Sequence, residues 1–124
     1  MFEEDIISED LVEFDLDGRK FKFKPTTAED ELDWANDYWE IDKETKKLKQ
    51  NIKKRTLCKV ANLIEAPWDK ETINKAINVE KEWSELSSQE KIDFMKKINP
   101  RLFDMIVLKM GIIDGEAQSK IKKN

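Results

Sequence analysis

Histidine is absent from this sequence of 124 residues, and cysteine occurs only once, at Cys58. Without histidine there can be no Ser-His or Cys-His nucleophile pair, and a single cysteine cannot form a zinc cluster or an intramolecular disulfide. Glycine occurs only at Gly18, Gly111 and Gly115, so the glycine-rich phosphate loops of nucleotide-binding proteins are also missing. We therefore expect a protein that is not an enzyme and that uses no cofactor or metal.

Long apolar runs are absent as well, and none approaches the length of a membrane span. The first five residues, MFEED, are acidic where a secretory signal would be basic. The formal net charge of −4 and the pI of about 5.1 disfavour anionic membranes and nucleic acid as partners. The sequence therefore predicts a cytoplasmic protein with one hydrophobic core.

Acidic residues are plentiful, but they form no recognisable site. With 27 of them, neighbouring carboxylates arise by chance and do not identify the acid and base of a glycosidase. Glu13, Asp15 and Asp17 are spaced like the first ligands of a calcium loop. The twelfth position of such a loop needs a bidentate glutamate, and here it is Lys24. Cys58 lies among apolar residues, which indicates a buried structural thiol.

Residues 12–24 predict a β-hairpin around the dipeptide Asp17-Gly18, which tolerates the positive φ of a two-residue turn. Apolar residues alternate with acidic ones before the turn and with lysines after it; they are Val12, Phe14, Leu16, Phe21 and Phe23. The charged side chains then face each other across the strands, which favours this register. Because an isolated hairpin is marginal, we predict an α+β, mainly α fold with the N-terminal hairpin packed on four to five helices.

Capping patterns predict where most of the helices begin. The expected capping residues are Thr26 or Thr27, Asp69, Ser87 and Asn99. One further helix is expected from Asp42 to Ile64, and the last helix, apolar on most of its surface, is expected to be central and to end at Gly111. These elements divide the chain into an acidic segment at residues 1–10, a single domain at 11–113 and a polar tail, expected to be flexible, at 114–124.

The helix that follows Thr27 is predicted to have two apolar faces. One stripe contains Ala28, Leu32, Ala35 and Trp39, and the other contains Trp34, Tyr38 and Ile41. Both stripes could pack inside the protein. Alternatively, the second stripe could bind a partner or another copy of the chain, since tyrosine and tryptophan are common in binding hot spots.

The segment from Lys43 to Arg55 is predicted to be a basic helix. It contains seven cations, of which six are lysines, and no aromatic residue lies between them. A solvated face is the favoured interpretation, because long charged side chains commonly cover exposed helix surface. The alternative is a small helical nucleic-acid-binding regulator that uses this basic helix to contact phosphates.

The run VEFDLDGRKFKFKPTTAEDEL, from Val12 to Leu32, resembles the small tail assembly chaperones of long-tailed bacteriophages. The resemblance is specific over residues 11–39, where a hairpin leads through a Pro-x-Thr pattern into a helix. It implies a protein of the host cytoplasm that binds and shields the tape measure protein while the tail is assembled. The tail tube protein is a further partner that the resemblance implies. The lysine-rich end, Lys122-Lys123-Asn124, is compatible with the longer frameshifted product that this family often makes, and equally with simple lysine bias.

Overall fold

The computed structural model describes residues 5–119, which form two small sheets and five α-helices. The strands are β1 (Val12–Leu16), β2 (Arg19–Phe23), β3 (Trp39–Ile41), β4 (Leu48–Gln50) and β5 (Leu63–Glu65). The helices are α1 (Ala28–Tyr38), α2 (Ile52–Cys58), α3 (Lys70–Ile77), α4 (Ser88–Met95) and α5 (Pro100–Gln118), and short 3₁₀ helices lie at Lys59–Asn62 and Trp83–Glu85. The predicted fold class, α+β and mainly α with an N-terminal hairpin on helices, is confirmed.

The N-terminal hairpin has the predicted turn and register. Asp17 and Gly18 both adopt positive φ, at 53° and 81°, which matches the right-handed twist of the strands. Phe14 pairs with Phe21, and their rings stack with centroids 5.1 Å apart. On the other face, acidic residues of β1 lie opposite lysines of β2, as in the pair of Asp15 with Lys20.

A third strand, β5, extends this sheet where the sequence predicted helix. The prediction that this helix reaches Ile64 is therefore wrong, because the helical conformation ends at Asn62. β5 runs antiparallel to β2, with Phe23 opposite Leu63, and the Lys24 N–H donates to the Asn62 carbonyl at 2.8 Å. Pairing with β2 satisfies backbone groups that an edge strand would leave open, and tertiary pairing of this kind outweighs local helix propensity.

The predicted basic helix from Asp42 is also wrong over its first half, where β3 and β4 form a second, two-stranded ribbon. The Asp42 carboxylate accepts hydrogen bonds from the Glu44 and Thr45 N–H groups, and Lys46 adopts a φ of 56°. A side chain that bonds its own following backbone competes with helix formation and favours a turn. The helix begins only at Ile52, after Asn51 caps it by accepting from the Lys54 N–H.

The other predicted helix starts are confirmed. Side chains of the capping residues accept hydrogen bonds from the first-turn N–H groups, and these residues are Thr27, Asp69, Ser87 and Asn99. The caps at Thr27 and Ser87 are complete capping boxes, since the acidic residue three positions later accepts from the cap N–H in return. Local sequence therefore fixes where these helices begin.

Helix α5 does not end at Gly111 as predicted but continues to Gln118. Its inner face carries Ile106, Met110, Ile113 and the buried Asp114, so residues 114–118 are helix and not tail. Its outer face exposes Leu108 and Ile112, so the expectation of an all-round buried helix is wrong. The predicted tail beyond Ser119 and the first four residues of the acidic segment lie outside the described residues.

The core lies between the inner face of the β1–β2–β5 sheet and helices α3, α4 and α5. Four aromatic rings pack together at its edge: the half-buried Trp68 lies 4.7 Å from Phe94, 5.3 Å from Trp83 and 5.5 Å from Phe21 between ring centroids. The Trp83 indole N–H donates to the Leu63 carbonyl at 2.8 Å, so this buried polar group is satisfied. Within residues 5–119, no helix combines the length and apolar character needed to cross a bilayer.

The hairpin turn provides a first stability prediction. Gly18→Val should destabilise the domain by on the order of 1 kcal/mol or more, because a β-branched residue resists positive φ. No atom lies within 4 Å of where a Cβ would be placed, so the cost is purely conformational. As a control, Gly111→Ala should raise the melting temperature, since alanine is the better helix former and its Cβ would also meet nothing. Equal melting temperatures for Gly18→Val and the parent would contradict the turn.

Candidate partner-binding surface

The predicted partner-binding residues Trp34, Tyr38 and Ile41 do not share a helix face. Helix α1 ends at Tyr38, and Ile41 is the last residue of strand β3. The chain becomes extended at Trp39, with φ −82° and ψ 132°, because β3 pairs with β4. The prediction of one continuous helix face is therefore wrong. A role for these residues in partner binding stays a prediction.

Each of these side chains lies in a different environment. Tyr38 is buried, Trp34 is half-buried and Ile41 is exposed. The Tyr38 hydroxyl donates to the Glu31 carbonyl at 3.3 Å, and its ring stacks with that of Trp39 at 6.1 Å between centroids. Tyr38 is thus a structural residue that joins α1 to the ribbon, and only Ile41 is fully open to a partner.

An open apolar groove of about 520 Å³ lies between α2 on one side and the end of α4 with the start of α5 on the other. Its apolar lining consists of Ile52, Leu57, Met95, Ile98, Pro100 and Phe103. Leu57, Ile98 and Phe103 are half-buried and pack against the core, whereas Ile52 at the rim is 63 % exposed. The groove therefore has a floor that packs on the core and an open apolar edge.

Four of the lining residues are polar or charged, namely Lys53, Thr56, Lys96 and Asp104. A small-molecule site usually combines an apolar cavity with several convergent polar groups that orient the ligand. An amphipathic helix needs a different surface, namely an apolar trough with charged residues beside it. The lining of this groove resembles the second kind of site.

No pattern in the sequence predicts this groove, because the helix that forms one of its walls begins ten residues later than the predicted basic helix. The helix predicted to begin at Asp42 has its apolar stripe starting at Leu57, so Ile52 is not part of that prediction, whereas the helix in fact begins at Ile52. Asn51 was the signal that could have located the helix, since asparagine is a preferred N-cap.

A second exposed apolar surface lies on the β3–β4 ribbon. Ile41 pairs directly with Leu48, and Trp39 lies two residues before Ile41, so the three side chains share one face of the ribbon. Ile41 is 67 % exposed, Leu48 is 68 % exposed and Trp39 is 42 % exposed. Large apolar residues clustered and exposed in this way are typical of interaction sites.

The lysines of the predicted basic helix are exposed, as expected, whereas Arg55 is half-buried. These cations lie on the β3–β4 turn, on β4 and on α2, and not on one helix. We call residues 39–55 the ribbon segment; it contains seven cations and three anions, so its net charge is +4. The rest of the chain therefore carries −8, given the total of −4. Several of the cations are already paired: Lys49 with Asp42, Lys54 with Glu40, and Arg55 with Glu31 through two guanidinium nitrogens.

The paired carboxylates of the ribbon segment are held in their charged form. Hydrogen bonds from Lys54 and Asn51 lower the pKa of the Glu40 carboxyl. Hydrogen bonds from the Thr45 and Glu44 N–H groups lower the pKa of the Asp42 carboxyl. These acidic groups therefore stay ionised at neutral pH, and their hydrogen bonds stabilise the ribbon and its turn.

Buried charges outside these surfaces have structural partners. Asp114 accepts from the Thr26 N–H and hydroxyl and from the Lys59 ammonium, each at 2.8 Å. Burial lowers the pKa of Lys91, whose ammonium donates to the Leu63 carbonyl at 3.0 Å and lies 5.6 Å from the centre of the Trp83 ring. These groups tie secondary-structure elements together.

The remaining sequence candidates also occupy structural positions. Asp15, part of the calcium-like pattern, accepts from the Gly18 N–H at 2.9 Å and so stabilises the hairpin turn. Cys58 is buried at the end of α2, and burial raises the pKa of its thiol, as does the charge of Asp37. A thiol with a raised pKa is a poor nucleophile at neutral pH, which agrees with a structural role.

Comparisons with protein-family models, with curated proteins and with solved structures give no match to this chain.

Proposed function

We propose that this protein is a non-enzymatic tail assembly chaperone of a long-tailed bacteriophage, which binds and shields the tape measure protein in the host cytoplasm. The observation that carries the proposal is the open apolar groove between α2 and α4–α5. The resemblance of residues 11–39 to such chaperones supplies the identity of the partner. In this account, the groove receives an apolar stripe of a tape measure helix.

The geometry of the groove supports a helical occupant. Its floor is formed by side chains that also pack on the core, so the floor is ordered before a partner arrives, which lowers the entropic cost of binding. Its two walls are helices, and a third helix placed between them would bury apolar residues spaced three and four apart. Ile52 would be covered by such a helix and is exposed without it.

Shielding is what an assembly intermediate of this kind requires. A long amphipathic helix in water exposes apolar surface, and large exposed patches promote aggregation. A small acidic protein that covers this stripe would keep the helix dispersed, because a net charge away from zero favours solubility. No bond in the partner is made or broken in this process, so the lack of histidine is no obstacle.

The test is co-expression of this chain with a tape measure protein of the same bacteriophage, followed by affinity capture. Ile52→Glu places a charge at the apolar rim and should reduce capture about tenfold or more, which corresponds to roughly 1.4 kcal/mol of binding free energy. Because Ile52 is exposed, the variant should melt like the parent. The matched control is Leu32→Glu, an exposed leucine on α1 outside the groove, which should leave capture unchanged.

Two results would count against the proposal. One is a parent chain that captures no tape measure protein under conditions in which both proteins are soluble. The other is an Ile52→Glu variant that captures the tape measure protein as well as Leu32→Glu does.

A further inference from the structure

We propose that the β3–β4 ribbon and its turn, residues 39–50, form a second docking surface, whose occupant is an acidic, amphipathic helix. The apolar side of that helix covers Trp39, Ile41 and Leu48, and its carboxylates pair with lysines at the end of the ribbon. The inference deepens the proposed function by stating the charge of the partner helix, but it concerns a surface distinct from the groove floor.

The apolar part of the surface has no cover within the described chain. Trp39, Ile41 and Leu48 lie on one face of a ribbon only two strands wide, and a two-stranded ribbon has no second layer of its own on that face. Glu40 and Lys49 occupy the opposite face, where Glu40 forms an ion pair with Lys54 and Lys49 forms one with Asp42. The exposed apolar face is thus the side left for a partner.

Charge complementarity identifies the kind of partner. None of the ion pairs formed within residues 5–119 includes Lys43, Lys46 or Lys47, and all three side chains are exposed around the ribbon turn. Residues 39–50 contain four lysines and three acidic residues, and two of those acidic residues, Glu40 and Asp42, are already paired with lysines. A helix with acidic flanks is attracted to this segment, whereas a basic helix is repelled by it.

Nucleic acid fits the same surface less well. Arginine is the residue best suited to bidentate phosphate contacts, and Arg55, the single arginine of the ribbon segment, is engaged by Glu31. Two exposed aliphatic side chains, Ile41 and Leu48, would gain little from phosphates but are buried favourably by an apolar helix face.

A second copy of this chain is also a poorer occupant. Helix α1 is acidic but exposes a single leucine, Leu32, where a stripe is needed. Helix α5 exposes Leu108 and Ile112 but places Lys109 beside them. Neither helix offers an apolar stripe with acidic flanks only.

The experiment measures binding of the full chain to two fluorescent, designed helical peptides by anisotropy. The peptides share one leucine stripe and differ only in their flanks, which are glutamate in one and lysine in the other. The acidic peptide should bind about tenfold or more tightly than the basic one, and this preference should shrink as salt rises from low to high concentration.

Three variants locate the binding. Ile41→Ser/Leu48→Ser removes exposed apolar surface and should weaken the acidic peptide about tenfold. The triple variant Lys43→Gln/Lys46→Gln/Lys47→Gln should abolish the preference between the peptides even if the first variant folds poorly. Leu108→Ser/Ile112→Ser, which removes two exposed apolar residues from α5, is the control and should bind like the parent.

The inference is overturned if the two peptides bind equally, or if Ile41→Ser/Leu48→Ser binds like the parent. It is also overturned if that variant instead dissociates a dimer of this chain, or loses salt-dependent binding of duplex DNA with no effect on the peptides. Its failure is separable from that of the proposed function, because Ile52→Glu reports on the groove and the ribbon variants leave the groove intact.

Discussion

Asp114→Ala should destabilise the folded chain by about 3 to 5 kcal/mol, because it leaves a largely buried lysine and two buried donors without their acceptor. The Asp114 side chain is 4 % exposed and the Lys59 side chain is 19 % exposed, so water cannot replace the lost contacts easily. The carboxylate also joins α5 to the segment between β2 and α1 by accepting from both polar groups of Thr26. Urea unfolding followed by far-UV circular dichroism measures the change.

Two further variants separate charge from helix propensity. Asp114→Asn keeps one acceptor and should be less destabilising than Asp114→Ala. Glu116→Ala lies two residues away on the exposed side of the same helix and should change stability by less than about 0.5 kcal/mol. If Asp114→Ala unfolds at the same urea concentration as Glu116→Ala, then the end of α5 is not docked as described.

Tyr38→Ala should cost about 3 kcal/mol, since it removes a buried aromatic ring that joins α1 to the ribbon. Tyr38→Phe keeps the ring and removes only the hydrogen bond to the Glu31 carbonyl, so it should cost about 1 kcal/mol or less. Thermal melts of the two variants test this order.

The stability of Tyr38→Ala also decides which variants are suitable for testing partner binding. If Tyr38→Ala is as stable as the parent and loses the partner, then Tyr38 is a contact residue, as the sequence predicts. If it is destabilised as expected, any loss of partner by a Trp34→Ala/Tyr38→Ala double variant reflects unfolding, and exposed residues such as Ile52 are the proper probes.

Local patterns predicted the features that depend on neighbouring residues alone. The Asp17-Gly18 turn, the register of the first hairpin and the caps at Thr27, Asp69, Ser87 and Asn99 all follow from hydrogen bonds and φ preferences within a few residues. These features also fix the fold class, because they place one hairpin ahead of a series of capped helices.

The errors arose where distant residues decide the conformation. Strand β5 forms because it pairs with the edge of β2, which lies some forty positions earlier in the sequence. The ribbon forms because β3 pairs with β4 across a turn that hydrogen bonds of the Asp42 carboxylate stabilise. Helix α5 extends past Gly111 because Asp114 is held by Thr26, 88 residues away in the sequence. Periodicity in one segment contains no information about such contacts.

The candidate site was missed for the same reason. The groove joins residues of α2 to residues near the junction of α4 and α5, so it becomes visible only once the helices are packed. Of the predicted partner-binding aromatic residues, Tyr38 is buried and Trp34 is half-buried, whereas Leu48 and Ile52, which are exposed on the candidate surfaces, belong to no predicted apolar stripe. Ile41 is the one residue that belongs to both the predicted and the observed surfaces.

Amide hydrogen exchange of the full chain, with and without the co-expressed tape measure protein, tests the central claim most directly. If the groove receives a tape measure helix, exchange should slow in residues 52–58 and 95–104, which form the groove walls, while the β1–β2 hairpin should exchange as before. Unchanged exchange at both walls of the groove in a complex that is demonstrably formed would contradict the account.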